Sequence, residues 1–204
     1  MTTPAKGPDL APTARRLAAL LDGVGEDRFD HPTPCPDYRV RDLLQHLLAL
    51  TLAFRDAARK DLGPWTSVSP DAPDAPRPTL DGDWRGRLRE QLDELAAAWH
   101  EPAAWRGTTQ AGGVELPGEV AGLVALNELV LHAWDLARAT GQPFAADEDA
   151  ARASIALLGQ ETDNAARSGT GFGPVVPVPE TALLLDRAVG LSGRDPSWAP
   201  PVRT

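Results

Sequence analysis

The sequence predicts an all-α protein built on a four-helix bundle, with short peripheral helices and one small hairpin. Four long stretches carry apolar residues at helical spacing. The 18 glycines and 20 prolines of the 204 residues gather into connectors between those stretches. A single short stretch carries a strand signature.

The first helix is expected from about Asp9 to Asp22, with Leu10, Ala14, Leu17 and Leu21 on one face and Gly23 as its stop. A proline-rich connector, HPTPCPDY over 31–38, follows. The second helix should run from about Val40 to Lys60. Leu43, Leu47, Leu50 and Phe54 form its stripe, and Leu44, Leu48 and Leu52 widen it, so most of its sides should be buried. After a second connector over 63–79, the third helix is expected from about Asp83 to Trp99, with Trp84, Leu88, Leu92, Leu95 and Trp99 on one face. Trp105 to Leu116 places TTQAGG between apolar residues, consistent with a hairpin. The fourth helix should open at Pro117, a favoured first-turn residue, and end near Gly141. A fifth is expected over about Asp147 to Arg167 and a short sixth over about Glu180 to Leu191. Between these two lies a third connector over 168–179, whose prolines disfavour a central strand.

Composition narrows the function classes. With 20 basic and 29 acidic residues the formal charge is −9. Phosphate backbones and anionic membrane surfaces both call for a basic face, so neither nucleic acid nor membrane is an expected partner. Cys35 stands alone, which excludes an intrachain disulfide. The start, MTTPAKGPDL, has no apolar signal core, and no apolar run of membrane-span length is expected. The expectation is a single-domain, cytoplasmic protein; a homodimer is compatible with its size. The glycine-rich GTGFG lacks a lysine and a strand–helix setting, so it is no phosphate loop.

Chemistry concentrates on few residues. In LVALNELVLHAWDLARAT, Glu128 and His132 are four apart, which puts them on one helix face with Cβ atoms about 5–6 Å apart. That suits two ligands of one metal ion, and it equally suits an ordinary surface pair. The surrounding stripe of Leu123, Val124, Leu131 and Leu136 is apolar, and a carboxylate there needs a cation, a donor or a metal. His46 sits among leucines in LLQHLLAL and needs a partner as well; it fits either a hydrogen-bonded core residue or a third ligand. Two histidines and one carboxylate would leave positions open, as in catalytic zinc and some non-haem iron sites.

The segment PTPCPDYRVRDLLQHLLAL resembles the entry to the second helix of the DinB-like metal-binding families. It resembles most the actinobacterial branch related to mycothiol-dependent maleylpyruvate isomerase. The residues carrying the likeness are Pro34-Cys35-Pro36, Tyr38, Val40-Arg41-Asp42-Leu43 and His46, then Glu128, His132 and Trp134-Asp135-Leu136-Ala137. The C-terminal FGPVVPVPETALLLDRAVGLSGRDPSW resembles the tail of a metal-binding subgroup. The resemblance implies one DinB-like bundle domain over 8–199 and a divalent metal on His46, Glu128 and His132, zinc first and nickel or iron next. It also implies a mycothiol-like thiol cofactor and a small electrophilic substrate, which the thiol would attack in a transfer or an isomerisation. Two departures stand out. Arg39 replaces the usual Ser or Thr at the second helix start, leaving Asp42 or Asp37 to cap it. The isomerase carries a separate C-terminal domain, whereas the residues after Gly141 here look helical, so an activity needing that domain is not expected.

Several assignments stay open at this level. A metal-activated water would make the same site a hydrolase, and a sealed site would make the protein a structural or small-ligand-binding bundle. Arg55 and Arg138 fit either a substrate carboxylate clamp or surface salt bridges. Asp135 fits either a residue orienting a ligand or an ion pair with Arg138. Cys35 reads as a buried structural thiol, and His100 as a helix-end residue. Trp65, Trp105 and Trp198 fit either a cleft lining or loop packing.

Overall fold

The structure, a computed structural model, describes residues 7–69, 72, 75–167 and 172–201. The first residues of the N-terminal run, parts of the second and third connectors, and 169–171 of the glycine-rich run lie outside the described residues. Among the described residues there are six α-helices and one two-stranded antiparallel hairpin. The helices are α1 Ala11–Leu20, α2 Val40–Arg59, α3 Trp84–His100, α4 Gly118–Thr140, α5 Glu148–Leu158 and α6 Leu184–Leu191. The strands are β1 Thr108–Ala111 and β2 Val114–Pro117. The all-α bundle with a small hairpin is therefore what forms.

The four bundle helices close a ring in the order α1, α3, α2, α4, so α1 lies diagonal to α2 and α3 diagonal to α4. The expected apolar stripes point into this ring: Leu17, Leu43, Leu47, Leu88, Leu95 and Leu136 are all fully buried. α4 is the central element, buried along nearly its whole length. Its length and composition meet the test for a membrane span, contrary to the sequence expectation, but 78% of its apolar window is buried inside the protein. It is the core helix of the bundle.

Local chemistry explains most boundaries. At the start of α2 the missing Ser or Thr is compensated by Asp42, whose Oδ2 accepts from the Arg39 backbone N–H at 2.9 Å, one half of a capping box. The hairpin turns at Gly112 and Gly113, both with positive φ (58° and 80°), as a two-residue turn matching strand twist requires. Pro117 closes β2, where it pairs with Thr108, and is also the N-cap of α4, whose first residue is Gly118.

α5 stops at Leu158, well short of Arg167. Gly159 caps it, and the polar run after it turns away. Arg167 is buried and donates to the carbonyls of Glu161 (2.9 Å), Gly173 (3.1 Å) and Leu191 (2.6 Å). The long side chain thus knits loops together instead of extending a helix. α6 begins at Leu184 rather than near Glu180. α5 packs on α4 and α6 on α5, with Leu131, Trp134, Leu158 and Val189 forming a second small core.

Tight packing supports the site from below. Trp99 donates Nε1–H to Phe54 O at 3.0 Å, and Trp105 donates to Trp99 O at 2.7 Å, so both indoles are pinned. A Cβ added at Gly122 of α4 would lie within 2.8 Å of ring atoms of both. Gly122→Ala is therefore expected to destabilise the fold by about 1–3 kcal/mol through overpacking. A thermal melt showing no loss of stability would contradict this packing.

Candidate metal centre

α2 and α4 are adjacent in the ring, and their facing positions carry the polar residues that interrupt the apolar stripes. His46 of α2 meets Glu128 and His132 of α4. Ligand atoms of the three all lie within 4.8 Å of one another. Glu128 Oε2 is the hub, 3.4 Å from His46 Nε2 and 3.1 Å from His132 Nε2. The other nitrogen of each ring is engaged elsewhere. His132 Nδ1 lies 2.9 Å from Asp135 Oδ2, and His46 Nδ1 lies 3.2 Å from Tyr38 Oη.

This arrangement constrains the protons. Asp135 is fully buried and its carboxylate accepts, so His132 Nδ1 donates to it. In neutral His132 the Nε2 lone pair then faces the carboxylate of Glu128, acceptor against acceptor. A cation or a proton between them relieves that conflict. Burial opposes ionisation of Glu128, yet the hydrogen bonds from His132 and His46 hold its carboxyl well below the usual carboxylate range. Burial likewise opposes a charged His132, but Asp135 and Glu128 outweigh it and hold the imidazolium up to about 9.

Asp135 has a second partner that sequence reading missed. Arg194, from the loop after α6, forks onto it with Nε–Oδ1 at 2.8 Å and Nη2–Oδ2 at 2.9 Å. Ser192 Oγ accepts from Arg194 Nη1 at 3.2 Å. Burial opposes the charge on Arg194, but Asp135 outweighs it and raises the guanidinium above its ordinary value. Asp135 thus joins the C-terminal segment to His132, and it does not pair with Arg138.

Above the trio opens a cavity of about 650 Å³ that Glu128, His132 and His46 all line. One wall forms where the hairpin tip docks on the second connector, with Gly113 N–H donating to Thr66 O at 2.9 Å. Lys60, which ends α2, donates from Nζ to Thr108 O at 3.1 Å and fixes the hairpin base. Trp65 lines this cavity; Trp105 and Trp198 pack loops instead, Trp105 against Trp99 with centroids 5.1 Å apart and Trp198 against the second core.

The remaining candidates separate clearly. Arg55 bridges Glu94 at 2.7 Å and Asp56, and does not line the cavity. Arg138 donates from Nε to Trp198 O at 2.9 Å and tethers the C-terminal segment, so neither a clamp nor a salt bridge describes it. Cys35 is not sealed in the core: it is half-buried, lines the cavity, and its loop is held by Thr33, whose Oγ1 donates to Tyr38 O at 2.8 Å. Burial pushes its thiol up to about 11, against the opposing pull of Arg194, so it is protonated at neutral pH. His100 is the last residue of α3.

Comparison with known proteins agrees with this architecture. Uncharacterized proteins from two strains of Mycobacterium tuberculosis are each 31% identical over 186 residues, covering 87% of this chain and 91% of the relative. A crystal structure of the mycothiol-dependent maleylpyruvate isomerase matches with a TM-score of 0.54 at 19% identity, over 78% of this chain and 72% of that one, a likeness of fold. The family model of the mycothiol maleylpyruvate isomerase N-terminal domain matches residues 10–137, which span α1 through most of α4 and include His46, Glu128 and His132. The chain belongs to the mycothiol maleylpyruvate isomerase N-terminal domain family.

Proposed function

We propose that the protein is a divalent-metal-dependent enzyme of the cytoplasm, one domain over 8–199, that uses a mycothiol-like thiol on a small electrophilic substrate, by transfer or isomerisation. His46, Glu128 and His132 would hold the ion, zinc by preference for this donor set. The donor chemistry fits: both Nε2 atoms and one carboxylate oxygen converge, while both Nδ1 atoms have outer partners, as ligating histidines require. Bound there, a divalent cation supplies Lewis acidity and favours the thiolate form of a thiol.

The chain's own residues supply the rest. Asp135 fixes the Nδ1–H tautomer of His132, and Arg194 balances the charge of Asp135. Tyr38 holds the His46 ring. The apolar cavity walls keep water from competing with a bound thiol or substrate. The observation that carries the reading is the cavity itself. A purely structural metal site is expected to be sealed, whereas here about 650 Å³ of space lies directly over the trio.

Cobalt-substituted protein titrated with mycothiol tests it. A saturable sulfur-to-cobalt charge-transfer absorption, lost in His132→Ala, is the expected result. Absence of that absorption in fully loaded protein would leave the hydrolase reading in its place.

The raised pKa of metal-free His132 gives a further expectation. A coordinated imidazole presents a neutral nitrogen, so at neutral pH the ion must displace the proton that His132 carries. Loading is expected to release about one proton from His132 near neutral pH, and this release should fade as pH rises through about 9. Calorimetry in buffers of different ionisation enthalpy measures it, and proton release that does not change across that range would contradict it.

A further inference from the structure

We propose that the cavity over His46, Glu128 and His132 takes a substrate with an uncharged, apolar body, aromatic or branched aliphatic, and discriminates against polycarboxylates. This rests on the metal-dependent reading of the site and names its substrate class.

The walls carry the first part of the argument. Leu50 and Phe54 from α2, Val114 and Leu116 from the hairpin, and Trp65 and Phe172 from the connectors surround the space. They present aliphatic and aromatic surface on several sides, and a volume of about 650 Å³ is enough for a ring-sized body beside a thiol. An apolar body gains by leaving water for such walls, whereas a carboxylate loses its hydration there unless a cation meets it.

Charge carries the second part. Among the described lining residues the cation other than histidine is Arg194. Its Nε and Nη2 grip Asp135 and its Nη1 reaches Ser192, so its charge is balanced by a buried carboxylate before any substrate arrives. Asp37, an exposed carboxylate, also lines the cavity, and the whole chain carries −9. Both oppose entry of an anion. The exposed Arg77 lines an adjoining pocket of about 90 Å³, which shares Tyr38, His46, Ala49 and Pro76 with the large cavity, and Arg77 itself does not line the large cavity.

Two hydroxamates sharing one metal-binding group test the proposal: benzohydroxamate, with a phenyl body, and succinic monohydroxamate, with a carboxylate body. Calorimetry on zinc-loaded protein is expected to show the phenyl probe binding at least about tenfold more tightly. Equal or tighter binding of the carboxylated probe overturns the proposal. Val114, 63% exposed on the cavity wall, tolerates replacement without touching the core. Val114→Lys is expected to narrow the ratio by about threefold by adding a cation at that wall; an unchanged ratio also overturns the proposal. Elemental analysis of the same samples reports zinc separately, so failure of the metal reading is seen as unloaded protein. In that case equilibrium dialysis of metal-free protein with neutral 2-naphthol against 2-naphthoate decides the cavity's preference. Tighter binding of the neutral probe supports the proposal, and any other order overturns it.

Discussion

On the proposed site, His132→Ala is expected to reduce divalent metal from about one ion per chain to a trace, because it removes the histidine closest to Glu128 and the one held from outside by Asp135. Elemental analysis of protein reconstituted with zinc, nickel or iron measures this directly. Asp135→Asn provides the graded comparison. It keeps the three donor residues but weakens the hold on the His132 tautomer, and a loss of about 10–100-fold in metal affinity is the usual scale for such outer partners. Melting temperatures of both metal-free variants should accompany the measurement, since His132 is itself buried and partnered. Metal retained at wild-type stoichiometry in His132→Ala would show that the converging trio is a hydrogen-bonded core cluster and not a site.

Arg194→Met is expected to cost about 3–5 kcal/mol of folding stability, because it leaves the fully buried Asp135 without its fork. Methionine keeps much of the side-chain volume, so the loss reports charge more than cavity. Chemical denaturation reads it as a lowered midpoint. The double variant Arg194→Met, Asp135→Asn removes both charges together and should recover part of the loss. A single-variant loss below about 1 kcal/mol would mean that the pair is not what fastens the C-terminal segment to α4. The consequence reaches the site as well, because the carboxylate released from Arg194 still touches His132 Nδ1.

The helices were legible because each is written within a short window. Leu43, Leu47, Leu50 and Phe54 repeat at the helical period, and α2 and α4 begin and end within about two residues of where capping chemistry places them. The failures are local too. α5 ends at Leu158, although a helical pattern could be read on to Arg167, whose guanidinium instead donates to loop carbonyls, that of Leu191 lying 24 residues away. Pro117 is both the cap of α4 and the end of β2, and its pairing with Thr108 across the hairpin is the part that a helical pattern does not show.

The site divides in the same way. Glu128 and His132 are bound together by the α-helix itself, since residues four apart share a face whatever the rest of the chain does. His46 was visible as a polar residue in an apolar stripe, but its meeting with Glu128 depends on α2 lying next to α4 in the ring. Tyr38 belongs to a recognisable motif, yet nothing in sequence gives it the His46 ring as partner. Arg194 lies 59 residues from Asp135 in an ordinary-looking loop, and a single long-range ion pair leaves no periodic trace.

By itself, the sequence determined the bundle, the hairpin, the family and the pairing of Glu128 with His132, because these follow from helical periodicity, turn chemistry and neighbouring motifs. The tertiary structure decided which residues support His46, Glu128 and His132 and what lies above them. The cavity has walls from α2, α4, the hairpin, the first and second connectors, Phe172 and Arg194, segments that carry no common pattern. Their arrangement is set by where each connector lands on the packed bundle, and that is fixed by contacts between distant parts of the chain.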